Sequence, residues 1–265
     1  LSGAQGKLFN STTDWILGIT SQNRDESLIR DHTDPDKDVS SNLNIQTHAV
    51  YSELNTQINQ DTKLTYGIRL EDWNYKFSNS NNIFLKDSET LTGGKVTLES
   101  YLNLNHMSYV TLAKGYKAGG VNSNTDLNET LRKYKTETNF TFETGLKSNT
   151  LDNNLQSRIA IFYILREDQQ VKQSFGLLDD ENKPYFLDYI ANAAEANNYG
   201  FELETSYALN NNINWNTSLG YLKTEFTNFS FEMVDPADET RTITIDKDGR
   251  ELAHAPQWSL SSSIN

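Results

Sequence analysis

The sequence predicts an all-β fold, an antiparallel transmembrane β-barrel present as a partial sheet of about ten strands. Three observations predict it. Apolar residues recur with the two-residue period of extended chain. No run of about 18 apolar residues exists: the best candidate, Ile159 to Leu165, is far too short for a spanning helix, whereas barrel strands need only alternate apolar residues. Short turns alternate with connections of about fifteen to thirty residues, the asymmetry of short periplasmic turns and long extracellular loops.

In order along the chain, Gly3 to Thr13 is small and polar and reads as a turn. Asp14 to Thr20 sets Trp15, Leu17 and Ile19 against Ile16, Gly18 and Thr20, a strand. Ser21 to Asn44 is charged and contains Pro35, which predicts a loop. Gln46 to Asn59 is extended, and Asn59-Gln60-Asp61 turns tightly into Lys63 to Trp73. There Leu64, Tyr66, Ile68 and Leu70 alternate with Lys63, Thr65, Gly67, Arg69 and Glu71. Asn74 to Gly93, rich in Asn and Ser, reads as loop. Lys95 to Leu104 is a strand, and a turn at Asn105-His106 leads to Ser108 to Asn122. In that stretch Tyr109, Thr111, Ala113 and Gly115 face one way, and Val110, Leu112, Lys114 and Tyr116 the other. Gly119-Gly120 ends it, on the expectation that paired glycines reach φ values other residues avoid.

The second half repeats the plan. Asn122 to Thr136 is loop, then Glu137 to Lys147 and Leu155 to Glu167 form strands around a turn at Asn149 to Asn154. Asp168 to Ala196 is long and mixed. Tyr199 to Ala208 and Ile213 to Phe226 flank a turn at Asn210-Asn211-Asn212. Asn228 to Pro256 is a loop expected to hold a hairpin around Asp248-Gly249, and Trp258, Leu260 and Ile264 begin another strand. Leu1-Ser2-Gly3 lacks an initiator methionine and Ser261 to Asn265 reads as mid-strand, so residues 1–265 are expected to be one incomplete barrel domain.

Alternation alone does not separate a soluble sandwich, apolar face inward, from a barrel whose apolar face meets lipid. On the barrel reading Lys63, Arg69, Glu71, Glu143, Lys147, Glu202 and Glu204 line a wet lumen, and Trp15, Trp73, Tyr75, Tyr116, Trp215 and Trp258 form an interfacial girdle. A hydrophobic content of 36% suits a molecule without a large closed core. The net charge of −13 argues against a nucleic-acid partner. With no cysteine, disulfides and thiolate metal sites are excluded.

The phrase Gly115 to Asn122, GYKAGGVN, resembles a stretch of the TonB-dependent outer-membrane receptors. Other phrases resemble that family in its order: Asp14 to Gly18, Ala49-Val50-Tyr51, Leu64 to Arg69, Glu143 to Lys147, Ala160 to Tyr163, Asn192-Ala193-Ala194 with Tyr199 to Glu204, and Leu252 with Ala255 to Ser259. His254 and Ala253 depart from its usual Asn and Pro. The resemblance implies part of a bacterial outer-membrane transporter that imports a scarce nutrient, such as a ferric siderophore, haem, cobalamin or an oligosaccharide. It also implies contact with outer-membrane lipid, and coupling to the TonB–ExbB–ExbD system through an N-terminal region not among these residues. A secreted or surface binding domain (an adhesin, for example) and a passive porin-like barrel are the alternatives.

No catalytic, cofactor-binding or metal-ligating residue is nominated, no cofactor is implied, and the chain does not read as an enzyme. His32, His48, His106 and His254 lack ligand spacing. Asp34 to Asp38 opens like a calcium loop but has Val39 and Ile45 where Gly and Glu are required. Gly93-Gly94 and Gly119-Gly120 lack the strand–glycine–helix setting of a phosphate site. Glu202 and Glu204 share a strand face as lumen lining rather than as a carboxylate dyad. Acidic stretches at Asp25-Glu26, Asp34 to Asp38, Asp179 to Glu181 and Asp235 to Glu239 suggest a cationic or neutral ligand, or lipopolysaccharide bridged by divalent ions. Individual substrate contacts stay unassigned.

Overall fold

The computed structural model describes residues 6–8, 11–30, 39–124, 127–178, 184–235 and 238–265. Its strands are β1 (Gly6–Leu8), β2 (Ser11–Arg30), β3 (Val39–Gln57), β4 (Thr62–Asn79), β5 (Phe84–Asn103), β6 (His106–Lys117), β7 (Gly120–Val121), β8 (Lys133–Tyr134), β9 (Glu137–Thr150), β10 (Leu155–Leu178), β11 (Pro184–Asn210), β12 (Ile213–Asn228), β13 (Ser230–Asp235), β14 (Asp238–Asp246) and β15 (Trp258–Ile264). Eleven of them make one sheet in the order β1-β2-β3-β4-β5-β6-β9-β10-β11-β12-β15, every pair antiparallel. The pairs β7-β8 and β13-β14 are small ribbons inside two of the connections.

Register turns the alternation of each strand into rows across the sheet. One row runs Trp15, Leu54, Tyr66, Val96, Leu112, Phe142, Tyr163, Tyr199. Another runs Leu64, Leu98, Val110, Thr144, Ile161, Phe201, Tyr221, Trp258. These rows are not covered: Leu112 is 57% and Trp258 59% exposed. A soluble sheet would bury such a surface, so the exposed apolar face is the lipid-facing wall. On β11 it extends from Tyr199 to Tyr207, which at about 3.3 Å per residue and a tilt near 40° is roughly 20 Å, most of the height of the apolar band of an outer-membrane barrel.

Beyond the band the strands continue, and here the structure corrects the sequence reading. Ser21 to Arg30 pairs with Val39 to His48, Asn74 to Ser78 pairs with Phe84 to Ser88, and Gln169 to Leu178 pairs with Pro184 to Ala193. The expected long loops are therefore largely strand extensions, and the β4–β5 connection is only residues 80–83. Polar composition suggested loop, yet a ladder satisfies backbone groups whatever the side chains, and outside lipid neither face must be apolar. Likewise Gly3 to Thr13 contains β1 and the start of β2 rather than only a turn. The hairpin of the last connection is β13–β14; Asp248-Gly249 follows it as a separate turn, with Gly249 at φ 73°.

The buried clusters lie off the lipid-facing rows. Trp73, Tyr75, Phe77 and Leu91 form one, Ala196, Phe226 and Phe229 a second, and Leu127, Leu187 and Tyr189 a third. Trp73 and Tyr75 therefore do not belong to a girdle. Trp15, Trp215 and Trp258 are exposed on the outer face as expected.

Candidate functional site

Opposite the apolar rows, charged side chains pair across strands. Lys63 pairs with Glu99, Lys95 Nζ lies 2.8 Å from Glu53 Oε2, and Arg158 Nη1 lies 3.8 Å from Glu204 Oε2. Tyr109 donates to Glu143 at 2.7 Å, and Lys147 Nζ sits 5.4 Å from the Tyr109 ring centre. The predicted lumen residues thus share one face with Glu53, Lys95 and Arg158. Such pairing makes a wettable wall, since each charge keeps water or a partner.

Where the strands leave the band, this wall holds a cavity of about 1080 Å³. Its floor is aromatic: Trp73, Tyr75 and Phe77 alternate along β4 on the side of Arg69 and Glu71, with Leu43 and Ile45 from β3 beside them. Its polar rim begins with Arg69, whose Nε donates to Glu71 at 2.9 Å and to the Tyr116 hydroxyl at 3.1 Å, while that hydroxyl donates to Glu71 at 3.0 Å. Arg24 and Glu26 pair at 3.0 Å. Both guanidinium groups are thereby balanced, so this wall carries hydrogen-bonding capacity with little local charge.

Tyr116 departs from its expected face. Register places Lys114 opposite Gly94, the last β5–β6 pair; beyond it the Tyr116 ring lies over Gly93, where an added Cβ would be 3.1 Å from the ring. Its hydroxyl thereby braces the cavity-lining Arg69 and Glu71 rather than serving in a girdle.

The Gly-Gly exit is built on close approach, not on unusual φ. Gly119 and Gly120 show no positive φ, but a Cβ on Gly119 would lie 2.5 Å from the Tyr134 carbonyl oxygen, and one on Gly120 2.3 Å from the Tyr134 hydroxyl. Three amide side chains fasten this segment. Gln170 Nε2 donates to the carbonyls of Ala118 at 2.9 Å and Lys135 at 3.0 Å. Asn122 Nδ2 donates to Ile190 O at 2.8 Å and its Oδ1 accepts from Ile190 N at 2.9 Å. Asn192 Nδ2 donates to Asp168 O at 2.7 Å, and its Oδ1 accepts from Lys135 N at 2.8 Å. Buried Glu137, 5% exposed, supports the arrangement by accepting from Arg166 Nε and from the Gln170 backbone, both at 2.8 Å. Two of the phrases that carried the resemblance, at Gly115 to Asn122 and at Asn192, therefore meet in space.

Tyr75 is the anomaly of the site. It is 2% exposed, lines the cavity, and its hydroxyl has no hydrogen-bond partner. Burial, with Asp87 and Tyr134 adding to it, pushes its phenol up to about 12.

Among the described residues no group of three or more His, Asp or Glu side chains could hold a metal. Ser21 Oγ lies 3.0 Å from His48 Nδ1, and His106 Nδ1 lies 2.9 Å from Asn103 Oδ1. His32, the Asp34 to Asp38 run and Asp179 to Glu181 lie outside the described residues, and Asp25 and Glu26 prove to be strand residues of β2. Sequence reasoning missed Trp73, Tyr75 and Phe77 as cavity floor and Gln170 as fastener.

Residues 2–265 match the family described as "TonB dependent receptor-like, beta-barrel". The pesticin receptors of Yersinia enterocolitica and Yersinia pestis are 24% identical over 264 residues, covering 96% of this chain and 36% of theirs. The chain thus spans about a third of the length of those curated relatives. Among solved structures, the ferric yersiniabactin uptake receptor of Yersinia pestis superposes with a TM-score of 0.74 at 20% identity, over 96% of this chain and 38% of that one. The ferric-catecholate import receptor of E. coli K12 gives 0.71 at 14%, over 98% and 40%. The siderophore receptor PiuA of Acinetobacter baumannii gives 0.71 at 16%, over 99% and 42%.

Proposed function

The chain belongs to the TonB-dependent receptor β-barrel family of the bacterial outer membrane, and from that premise we propose that residues 1–265 form one stretch of the barrel domain of a receptor importing a ferric siderophore, with energy delivered through TonB. Family membership favours this over a secreted sandwich or a passive porin. The observation that carries the ligand reading is the aromatic-floored cavity on the lumen wall at the extracellular end, with its polar rim of Arg69, Glu71 and Gln170, the first two held by the Tyr116 hydroxyl. Siderophore complexes combine apolar or aromatic frames with a metal-chelating polar centre, and such a wall offers both apolar surface and oriented donors. Because Arg24 and Arg69 are each balanced by a carboxylate, the wall suits a chelate of low net charge.

The test uses the full-length receptor in a strain stripped of other ferric receptors. Uptake of radiolabelled iron is measured from ferric yersiniabactin, ferric citrate and a ferric catecholate in turn. One of the three is expected to be taken up, only with TonB present, and at a rate cut at least about tenfold by Trp73→Ala with the barrel still heat-modifiable on gels. Failure to take up any of them, or uptake indifferent to TonB, would overturn the proposal.

A further inference from the structure

On the outward side of the sheet, beyond the apolar band, two lysines stand directly opposite each other. Lys76 of β4 pairs in register with Lys86 of β5, and both side chains are exposed. Like charges at facing positions of a ladder repel, so the pair costs stability unless an anion sits between them. Neither ammonium has an ion-pair partner among the described residues. Of the neighbouring carboxylates, Glu26 pairs with Arg24 at 3.0 Å and Asp87 with Lys133 at 3.3 Å, while Asp25, which lines the same groove, is held by the neutral amides of Asn23 at 3.1 Å and of Asn44.

Their surroundings narrow the ligand. A groove of about 500 Å³ runs past both lysines, with Asn42, Asn44, Ser78 and Phe84 among its walls. Phe84, 73% exposed, is two residues from Lys86 and therefore on the same outward face. An uncovered aromatic ring there suits the apolar face of a sugar, and the amides and hydroxyl suit its polar edge. Height matters as well. The last outward apolar residue of β4 is Leu70, followed outward by Asp72, Asn74 and Lys76, so the pair stands roughly 15 Å above Leu70 along a strand tilted near 40°. Lysine stems reach back from there toward the headgroup layer.

We propose that Lys76 and Lys86 form a clamp for the phosphate of a phosphorylated glycolipid of the outer leaflet, with Phe84 against its sugar. The clamp would fix the tilt and depth of this β4–β5 hairpin in the membrane, independently of the lumen site.

The experiment uses the full-length receptor, delipidated in detergent, with native mass spectrometry counting bound diphosphoryl lipid A. K76Q/K86Q is expected to weaken binding about twenty-five-fold, from the roughly fivefold that one lysine contributes beside an anionic lipid surface. K76R/K86R, which keeps both charges, is expected to hold the lipid as wild type does. Dephosphorylated lipid A is expected to bind wild type as weakly as the phosphorylated form binds K76Q/K86Q, and millimolar inorganic phosphate to leave bound lipid in place. Unchanged binding in K76Q/K86Q, or equal binding of the dephosphorylated lipid, would overturn the clamp. Displacement by inorganic phosphate would also overturn it, showing a free-anion site. Should K76Q/K86Q fail to fold, the lipid comparison on wild type still decides.

Discussion

Replacing Tyr75 by Phe is expected to stabilise the receptor, which is the opposite of what removing a group from a packed cluster ordinarily does. The ring of Tyr75 packs 5.3 Å, centre to centre, from that of Trp73, and Phe77 and Leu91 complete the cluster. Phe keeps that packing. What it removes is a hydroxyl that is buried without a partner, and an unsatisfied buried polar group costs about 1–3 kcal/mol. Set against the small loss of dispersion from one oxygen, the net gain expected is about 1 kcal/mol. Trp73→Ala in the same cluster removes a buried indole and is expected to cost about 3–5 kcal/mol. The assay is equilibrium urea unfolding of the full-length receptor in lipid vesicles, comparing wild type with both variants. An alkaline arm gives an independent reading. The Tyr75 phenol is raised from 10.0 to about 12, so the folded state resists its ionisation. Its contribution is full below pH 10 and is lost as pH climbs through about 12; the Phe variant should lose less stability over that window. A Tyr75→Phe variant destabilised by more than about 1 kcal/mol would refute the reasoning, because the hydroxyl must then have a partner in the assembled receptor.

Three further outcomes are expected. Ile161→Arg places a charge on the lipid face in the middle of a row and should cost about 2–4 kcal/mol, read from folding yield into vesicles, while Glu202→Gln on the opposite face should cost under about 0.5 kcal/mol. Gln170→Ala frees the Ala118 carbonyl and leaves the Lys135 carbonyl to Asn192 alone, so hydrogen exchange should accelerate across residues 118–124 and 127–136 while β9 to β12 keep their protection; unchanged exchange there would show that Asn122 and Asn192 suffice. Gly119→Ala drives a Cβ into the Tyr134 carbonyl, and the same segment should gain protease sensitivity without loss of barrel assembly.

Most of the membrane-spanning wall was legible in the sequence because one requirement governs it: alternate residues must be apolar and the others need not be. Leu64 to Leu70, Ile159 to Leu165 and Tyr199 to Tyr207 each satisfied it without exception for a large side chain, and each fell on the outer rows. The extensions were not legible, because Asn74 to Ser78, Phe84 to Gly93, Ser21 to Arg30 and Val39 to Asn44 carry loop composition and are held by ladder bonds that no side chain advertises. The site was harder still. Gln170, Asn122 and Asn192 act on backbone carbonyls and amides far away in sequence, and neither a Gln nor an Asn signals which carbonyl it will reach. The Gly-Gly phrase was recognised as an exit, but its cause was placed in φ when it lies in the nearness of Tyr134.

One signal in the sequence did mark the edge of the membrane, although it is visible only once the strands are known to continue. On β4 the apolar residues occupy even positions through Leu70 and odd positions from Trp73 onward, with no bulge between them. The neighbours change phase at the same level: Ile45 is odd and Val50 even on β3, Leu91 odd and Val96 even on β5. In register, Val50 meets Leu70, the last outward apolar pair, and the adjacent rung Ala49, Glu71, Leu91 is the first to bury apolar side chains on the lumen face. A change of phase without a change of register means that the surroundings changed, not the strand. Below that rung the outside is lipid and apolar side chains point outward; above it both sides are wet, and apolar side chains are best buried inward, against one another at the mouth. The aromatic floor of the cavity and the outward-facing Lys76–Lys86 pair are two consequences of the same crossing. An outward probe can locate it: spin labels at Leu70 and Asn74 should divide between lipid-soluble oxygen and a water-soluble relaxant, with Leu70 favouring the former. Equal accessibility at the two positions would place the boundary elsewhere and remove the common cause.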